Sequence, residues 1–207
     1  MLRSLAARFT LRPSSARAIH AQTQLRALVA VRSLTEAKVY SPSAANRSIF
    51  AEQMSRELGI DVRAAADPRA AIEGADVVIT ATNSNQPVLD GAWLEPGTHI
   101  TSIANGDKTR TRQEIDQATI RRSDPIFVTS KETVCLNETD VFRAVRDRII
   151  SWDRVHEISS LLLGRVSGRT DDNQITLFKL QGTGIMDVAI GLRAYERLKD
   201  SNLAQRL

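Results

Sequence analysis

Asp76-Val-Val-Ile-Thr-Ala-Thr82 leads to Gly91-Ala-Trp-Leu-Glu-Pro-Gly-Thr-His-Ile100, and that stretch runs into Thr101-Ser-Ile-Ala-Asn-Gly-Asp107. The first segment is a short apolar run that closes on hydroxyl side chains. The second is a Gly/Pro-punctuated loop opening a further apolar run, and the third is a polar strand end. Two buried strands joined by a loop, both closing on polar residues, are the signature of a parallel sheet with ligands at its carboxyl edge.

Outward from this centre, short apolar runs alternate with amphipathic ones, the pattern of βα units. Residues 22–32 place Leu25, Leu28 and Val29 on one helical face, 37–40 is a short strand, and Ser41-Pro-Ser43 is a turn. The spacing predicts a helix over 44–58 with Ile49, Phe50, Met54 and Leu58 inward and Gly59 as its stop. Strands are expected at 61–65, 76–81, 98–104, 126–129 and 175–179, and helices at 68–73, 111–122 and 187–199. The last carries Val188, Leu192 and Tyr195 on one face. The fold class is therefore α/β, an incomplete doubly wound parallel sheet with a C-terminal helical extension. Its expected organisation is a divergent or unstructured N-terminal segment over 1–20, a partial dinucleotide-binding domain over 21–180 and a terminal helix over 181–207.

Composition narrows the function classes. Hydrophobic residues make up 42% and charged residues 25% of the 207, as in ordinary globular proteins, which argues against a disordered or fibrous chain. No apolar run approaches the length of a membrane span. The net charge of +4 resides in the N-terminal 35 residues, which hold Arg3, Arg8, Arg12, Arg17, Arg26 and Arg32 and no acid. The remainder has 22 basic and 24 acidic residues, so no basic groove for nucleic acid is expected on the fold. The first 17 residues read either as a mitochondrial transit-like leader or as ordinary sequence, a helix ending near Leu11 and then a Pro13-Ser-Ser turn, leaving a cytoplasmic or a mitochondrial location open. Cys135 is the sole cysteine and reads as a small filler near a helix start. His20, His99 and His156 lack metal-ligand spacing, and His99, inside a strand, reads as a satisfied core histidine.

The candidate chemistry gathers at the strand ends. Thr80, Ala81 and Thr82 with Asn83 and Ser84 close one strand, Ile103 to Asp107 follows the next, and both would face a common crevice. Thr and Asn side chains suit a neutral carboxamide ring such as nicotinamide, and the same residues also make a plain turn. Ser41 stands at the end of the second strand, where a carboxylate would read the ribose of NAD. Ser41 with Arg47 nearby instead accommodates a 2′-phosphate, which favours NADP over NAD as cofactor; the same residues also read as the flank of a proline turn and a solvated helix face. Asp107 reads either as a proton donor or ammonium ligand, or as a solvated loop acid beside Lys108 and Arg110.

The segments above, with Arg112-x-Glu-Ile-Asp116, Gly168-Arg-Thr170, Ile175-Thr-Leu-Phe-Lys179 and Gly182-Thr-Gly followed by Asp187-Val-Ala, resemble the ornithine cyclodeaminase/mu-crystallin family over about residues 20–200. The resemblance implies a Rossmann domain and an NAD(P)-dependent enzyme acting on an amino acid or cyclic imine. The implied reactions are ornithine cyclodeamination, ketimine or pyrroline-2-carboxylate reduction, and alanine dehydrogenation. It places Thr80, Ala81, Thr82, Ile103 and Gly182 at the cofactor and the catalytic acid at Gly106 or Asp107, and it implies a homodimer.

Departures are specific. Where the family has Gly-x-Gly-x-Gln-Ala behind an apolar first strand, residues 15–20 read Ser-Ala-Arg-Ala-Ile-His, and Leu180 follows Lys179 where the family has Ser. The expectation is that the first strand and its Gly loop are missing between Arg12 and Ala21, along with the upstream substrate domain. The resulting readings are an oxidoreductase or cyclodeaminase impaired by truncation, or a non-catalytic truncated paralogue or incomplete gene model.

Overall fold

The computed structural model describes residues 4–9, 16–103 and 112–199. Chain order is β1 (Ser4–Phe9), α1 (Ala16–Val31), β2 (Glu36–Tyr40), α2 (Ala44–Leu58), β3 (Asp61–Ala64), α3 (Pro68–Ile72), β4 (Val77–Ala81) and β5 (His99–Ser102). Then come α4 (Gln117–Arg122), β6 (Ser123–Val128), α5 (Lys131–Leu136), α6 (Asp140–Arg146), β7 (Val155–Glu157), α7 (Ile158–Leu162), β8 (Ile175–Lys179) and α8 (Gly184–Lys199). The strands form one sheet in the order β3-β2-β1-β4-β5-β8-β6-β7, every pairing parallel. This is the doubly wound arrangement, with its switch point between β1 and β4.

The sheet's centre, expected to be empty, is filled. Ser4–Phe9 pairs with β2 on one edge and with β4 on the other, Leu5 lying opposite both Ala37 and Val77. The helix read up to Leu11 is instead a strand over 4–9; Arg8 interrupts any apolar run there, so hydropathy gave no strand signal. Backbone pairing on two edges sets this strand instead.

All five residues of β4 are buried, and its apolar side chains enter opposite cores, as a strand covered on both faces requires. Val77, Ile79 and Ala81 join a core with Leu25 of α1 and Phe50 and Met54 of α2. Val78 joins the opposite core with Ile100, Ile115, Ile120, Ile126 and Leu177. Helix α2 starts at Ser43, whose hydroxyl accepts the Asn46 N–H at 3.3 Å, and stops at Gly59 in the left-handed region (φ 67°). Ile49, expected inward, is 58% exposed, because the buried stripe of α2 runs through Phe50, Ala51 and Met54.

The helix expected over 111–122 is only α4. Asp116 is its N-cap, accepting the Thr119 N–H at 2.7 Å. The residues before it are extended: Leu89 bridges Ile115, and the Val88 and Leu89 N–H groups both donate to the Glu114 carbonyl. Sequence periodicity missed α5, α6, β7 and α7, each short. Cys135 lies exposed on α5 rather than filling a gap. The terminal helix forms, and Val188, Leu192 and Tyr195 are exposed on it.

The loop from Gly91 to Gly97 is locked from two directions. The Asp116 carboxylate accepts the Gly91 N–H at 3.1 Å, and the Arg122 guanidinium donates to the carbonyls of Gly91 and Leu94. A Cβ on Gly91 would run into the backbone of Ala118 and Thr119, so the close approach of loop and α4 requires glycine here.

Candidate active-site crevice

The carboxyl ends of β4 and β5 are joined by one buried side chain. Glu114, with no exposed surface, accepts from Thr80 Oγ1 at 3.0 Å, Ser102 Oγ at 2.9 Å and the Ile103 N–H at 3.0 Å, and also from the Thr82 N–H. Two strand-end backbones and two strand hydroxyls thus share a single carboxylate. Charge-assisted bonds of this kind are about twice as strong as neutral ones.

The network continues across the sheet. Lys179 Nζ, at the end of β8, donates to Ser102 Oγ at 2.9 Å and pairs with Asp140 Oδ2 at 3.2 Å. Asp140 also pairs with Arg143 at 2.9 Å, and its Oδ2 lies 3.4 Å from the Glu114 N–H. The Lys179 and Asp140 side chains are 1% and 0% exposed. Buried charges persist when paired and hydrogen-bonded, and here Lys179 and Asp140 pair with each other and bond to Ser102, Arg143 and the Glu114 N–H.

The predicted residues distribute around this frame. Thr80, Ala81 and Thr82 are all buried at the end of β4. The Thr80 hydroxyl is turned to Glu114, and Thr82 Oγ1 accepts the Ser84 N–H at 3.2 Å, closing the turn after the strand. Ile103 follows β5, packs against the α1-side core and is tied to the same carboxylate. Ser41 and Arg47 come together beyond β2: the guanidinium donates to the Ser41 carbonyl at 2.9 Å and lies 5.5 Å from the centroid of the Tyr40 ring. Gly182 is exposed after β8. Asp107 and Gly106 lie outside the described residues, as does the segment joining β1 to α1.

Four contributors had no role assigned from the sequence. Glu114 and Ser102 fell within the segments quoted above and Asp140 did not, but none of the three carried a signal that marks a buried network. Lys179 did, since a lysine closing the apolar run Ile175-Thr-Leu-Phe marks a buried charge. Gln181, two residues further on, is buried with neither amide atom hydrogen-bonded among the described residues. It is an unsatisfied donor and acceptor at the ligand edge of the sheet.

Elsewhere His99 is neutral. Burial, and secondarily the charge of Arg169, push its pKa down to about 4, and its ring contacts Thr176 Oγ1 at 2.8 Å and Thr101 Oγ1 at 3.3 Å. Among the described residues no group of His, Cys, Asp and Glu could hold a metal ion, and no helix is long and apolar enough to cross a membrane.

Known proteins resemble this chain in sequence and in fold. A dehydrogenase-like protein of Rhizobium meliloti (strain 1021) is 37% identical over 86% of this chain and 54% of its own length. An uncharacterized cyclodeaminase of Sinorhizobium fredii is 32% identical over 88% of this chain and 54% of its own. The chain thus spans a little over half the length of these curated relatives. Among solved structures, the Delta(1)-pyrroline-2-carboxylate reductase of Thermococcus litoralis, in complex with NADH and L-proline, superposes with a TM-score of 0.87 at 32% identity. That match covers 96% of this chain and 59% of the reductase. The ornithine cyclodeaminase/mu-crystallin family model matches residues 17–202, and the chain belongs to that family.

Proposed function

We propose that this chain forms the nicotinamide-dinucleotide-binding part of an oxidoreductase acting on an amino acid or cyclic imine, with NADP favoured over NAD. The observation that carries the reading is Glu114, which fixes the Thr82 and Ile103 backbones at the switch-point side of a parallel sheet, where such ligands bind. The two strand ends carry hydroxyls and amides whose positions Glu114 fixes, and a carboxamide ring would lie beside them. When bound, the cofactor supplies or accepts a hydride at the carbon of a C–N bond.

The chain's own residues hold the two ends of that molecule. Thr80, Ala81, Thr82 and Ile103 form the wall beside the ring, and Gly182 leaves the mouth open after β8. Arg47, steadied by the Ser41 carbonyl and the Tyr40 ring, sits where a 2′-phosphate would be neutralised, and no carboxylate ends β2 to read a free ribose hydroxyl. Asp107 holds the proton exchanged with the substrate nitrogen, by its place after β5 and the family resemblance.

No glycine precedes Gly59, so the pyrophosphate lacks the close backbone approach that a Gly-rich loop provides, and the affinity is correspondingly reduced. The test is titration of NADPH and NADH against the 207-residue chain, followed by nicotinamide fluorescence. Saturable binding, tighter for NADPH, is expected. Absence of saturation at millimolar cofactor overturns the reading.

A further inference from the structure

The polar and apolar halves of the sheet's α1 face meet in a cavity that the crevice does not use. Its volume is about 570 Å³, within the range of small-molecule sites, and it lies between α1 and the starts of β4, β5 and β8. Leu28, Val77 and Ile79 form an apolar wall. The opposite wall is His99, Thr101, Thr176 and Arg169. A parallel sheet built only to receive a helix carries apolar side chains at such positions. Here β5 and β8 present an imidazole and two hydroxyls instead.

Arg169 Nη2 donates to Thr176 Oγ1 at 3.5 Å, and the His99 ring lies 2.8 Å from Thr176 Oγ1 through Nδ1 and 3.3 Å from Thr101 Oγ1 through Nε2. A neutral imidazole carries one ring proton, so one of the two threonine hydroxyls donates to the ring and the other accepts from it. Arg32 adds a second guanidinium, and among the described residues Arg169 forms no ion pair and no acid lines the space.

We infer that this cavity is a second ligand site, distinct from the strand-end crevice, for a small carboxylate with an apolar tail. The carboxylate would accept from Arg169, and the tail would lie along Leu28 and Ile79. A guanidinium fork matches a carboxylate in two bonds, and the apolar wall selects against a fully hydrated anion such as free phosphate.

Calorimetric titration of the 207-residue chain with octanoate, octylammonium and octanol tests it. Octanoate should bind saturably, octanol weakly and octylammonium not at all. Arg169→Gln should weaken octanoate at least about 10-fold, the loss expected for a charge-assisted bond. Ala27→Trp, which fills the cavity from an exposed helix position, should abolish binding with unchanged circular dichroism. Arg47→Ala, in the crevice, should leave it unaltered. No saturable octanoate binding, equal binding of octylammonium, or binding untouched by Arg169→Gln and Ala27→Trp would each overturn the assignment.

Discussion

Replacing Glu114 by Gln removes one charge and nearly no volume, so its effect isolates the carboxylate's role. Oε2 receives Thr80 Oγ1, Ser102 Oγ and the Ile103 N–H, and Oε1 receives the Thr82 N–H. An amide can place its oxygen at one of these sites only. With the oxygen at the Oε2 site, its NH₂ faces the Thr82 N–H, donor against donor. With the amide flipped, the Ile103 N–H is stranded, while the two hydroxyls can rotate to adapt. One buried backbone donor is lost either way, at a cost of about 1–3 kcal/mol. Three remaining bonds lose charge assistance, and Lys179 loses the counter-charge that reaches it through Ser102, bringing the total to about 2–4 kcal/mol. The measurement is urea unfolding followed by circular dichroism, with Glu52→Gln as control, since that carboxylate forms an exposed pair with Arg56 and should register no change. A Glu114→Gln loss below about 0.5 kcal/mol, the size of ordinary surface substitutions, would refute the account of Glu114 as the shared anchor. NADPH affinity should fall about 10-fold in the same variant, the equivalent of 1.4 kcal/mol of misplaced rim.

Arg47→Ala should weaken NADPH about 10-fold more than NADH, the size of one charge-assisted bond, and fluorescence titration of both reads the ratio. His99 gives a pH signature. Its folded pKa of about 4 lies below the ordinary 6.5, so its contribution is complete above 6.5 and is lost as pH falls from there towards 4. The bound is about 3 kcal/mol, and His99→Asn should flatten that part of the stability–pH curve in urea melts at pH 7 and 4.5 relative to the native chain. Gly91→Ala drives a methyl into the α4 backbone and should cost about 1–3 kcal/mol, read by the same unfolding.

What was legible in the sequence was what periodicity encodes. The Asp76–Thr82 run, the helix from Ala44 to its Gly59 stop and the last strand from Ile175 to Lys179 were read to within a residue or so of their ends. The first strand was not, because Arg8 breaks its hydropathy while backbone pairing holds it. Residues 112–116 were misread because a polar segment with Ile115 and Ile120 mimics one helical face. Their true role, an extended segment under the strand ends, depends on contacts with residues 84–89. The site divided in the same way. Ser41, Arg47, Thr82 and Ile103 were proposed from their places at strand ends. Glu114 fell inside the Arg112-x-Glu-Ile-Asp116 segment, yet its role, like that of Asp140, was not legible, because a buried carboxylate looks like any other in a sequence until its donors are assembled around it.

The position of β1 has a consequence for assembly. Among the described residues it is the one strand hydrogen-bonded to both halves of the sheet, to β2 on one side and β4 on the other. Its partner in β4 is more than twice as far along the chain as its partner in β2, so the seam closes only after a long loop has been ordered. The N-terminal six-residue strand is thus a zip between two sub-sheets that can each begin to form alone. Amides of β2 and β4 should acquire protection from hydrogen exchange together and late, and open together first.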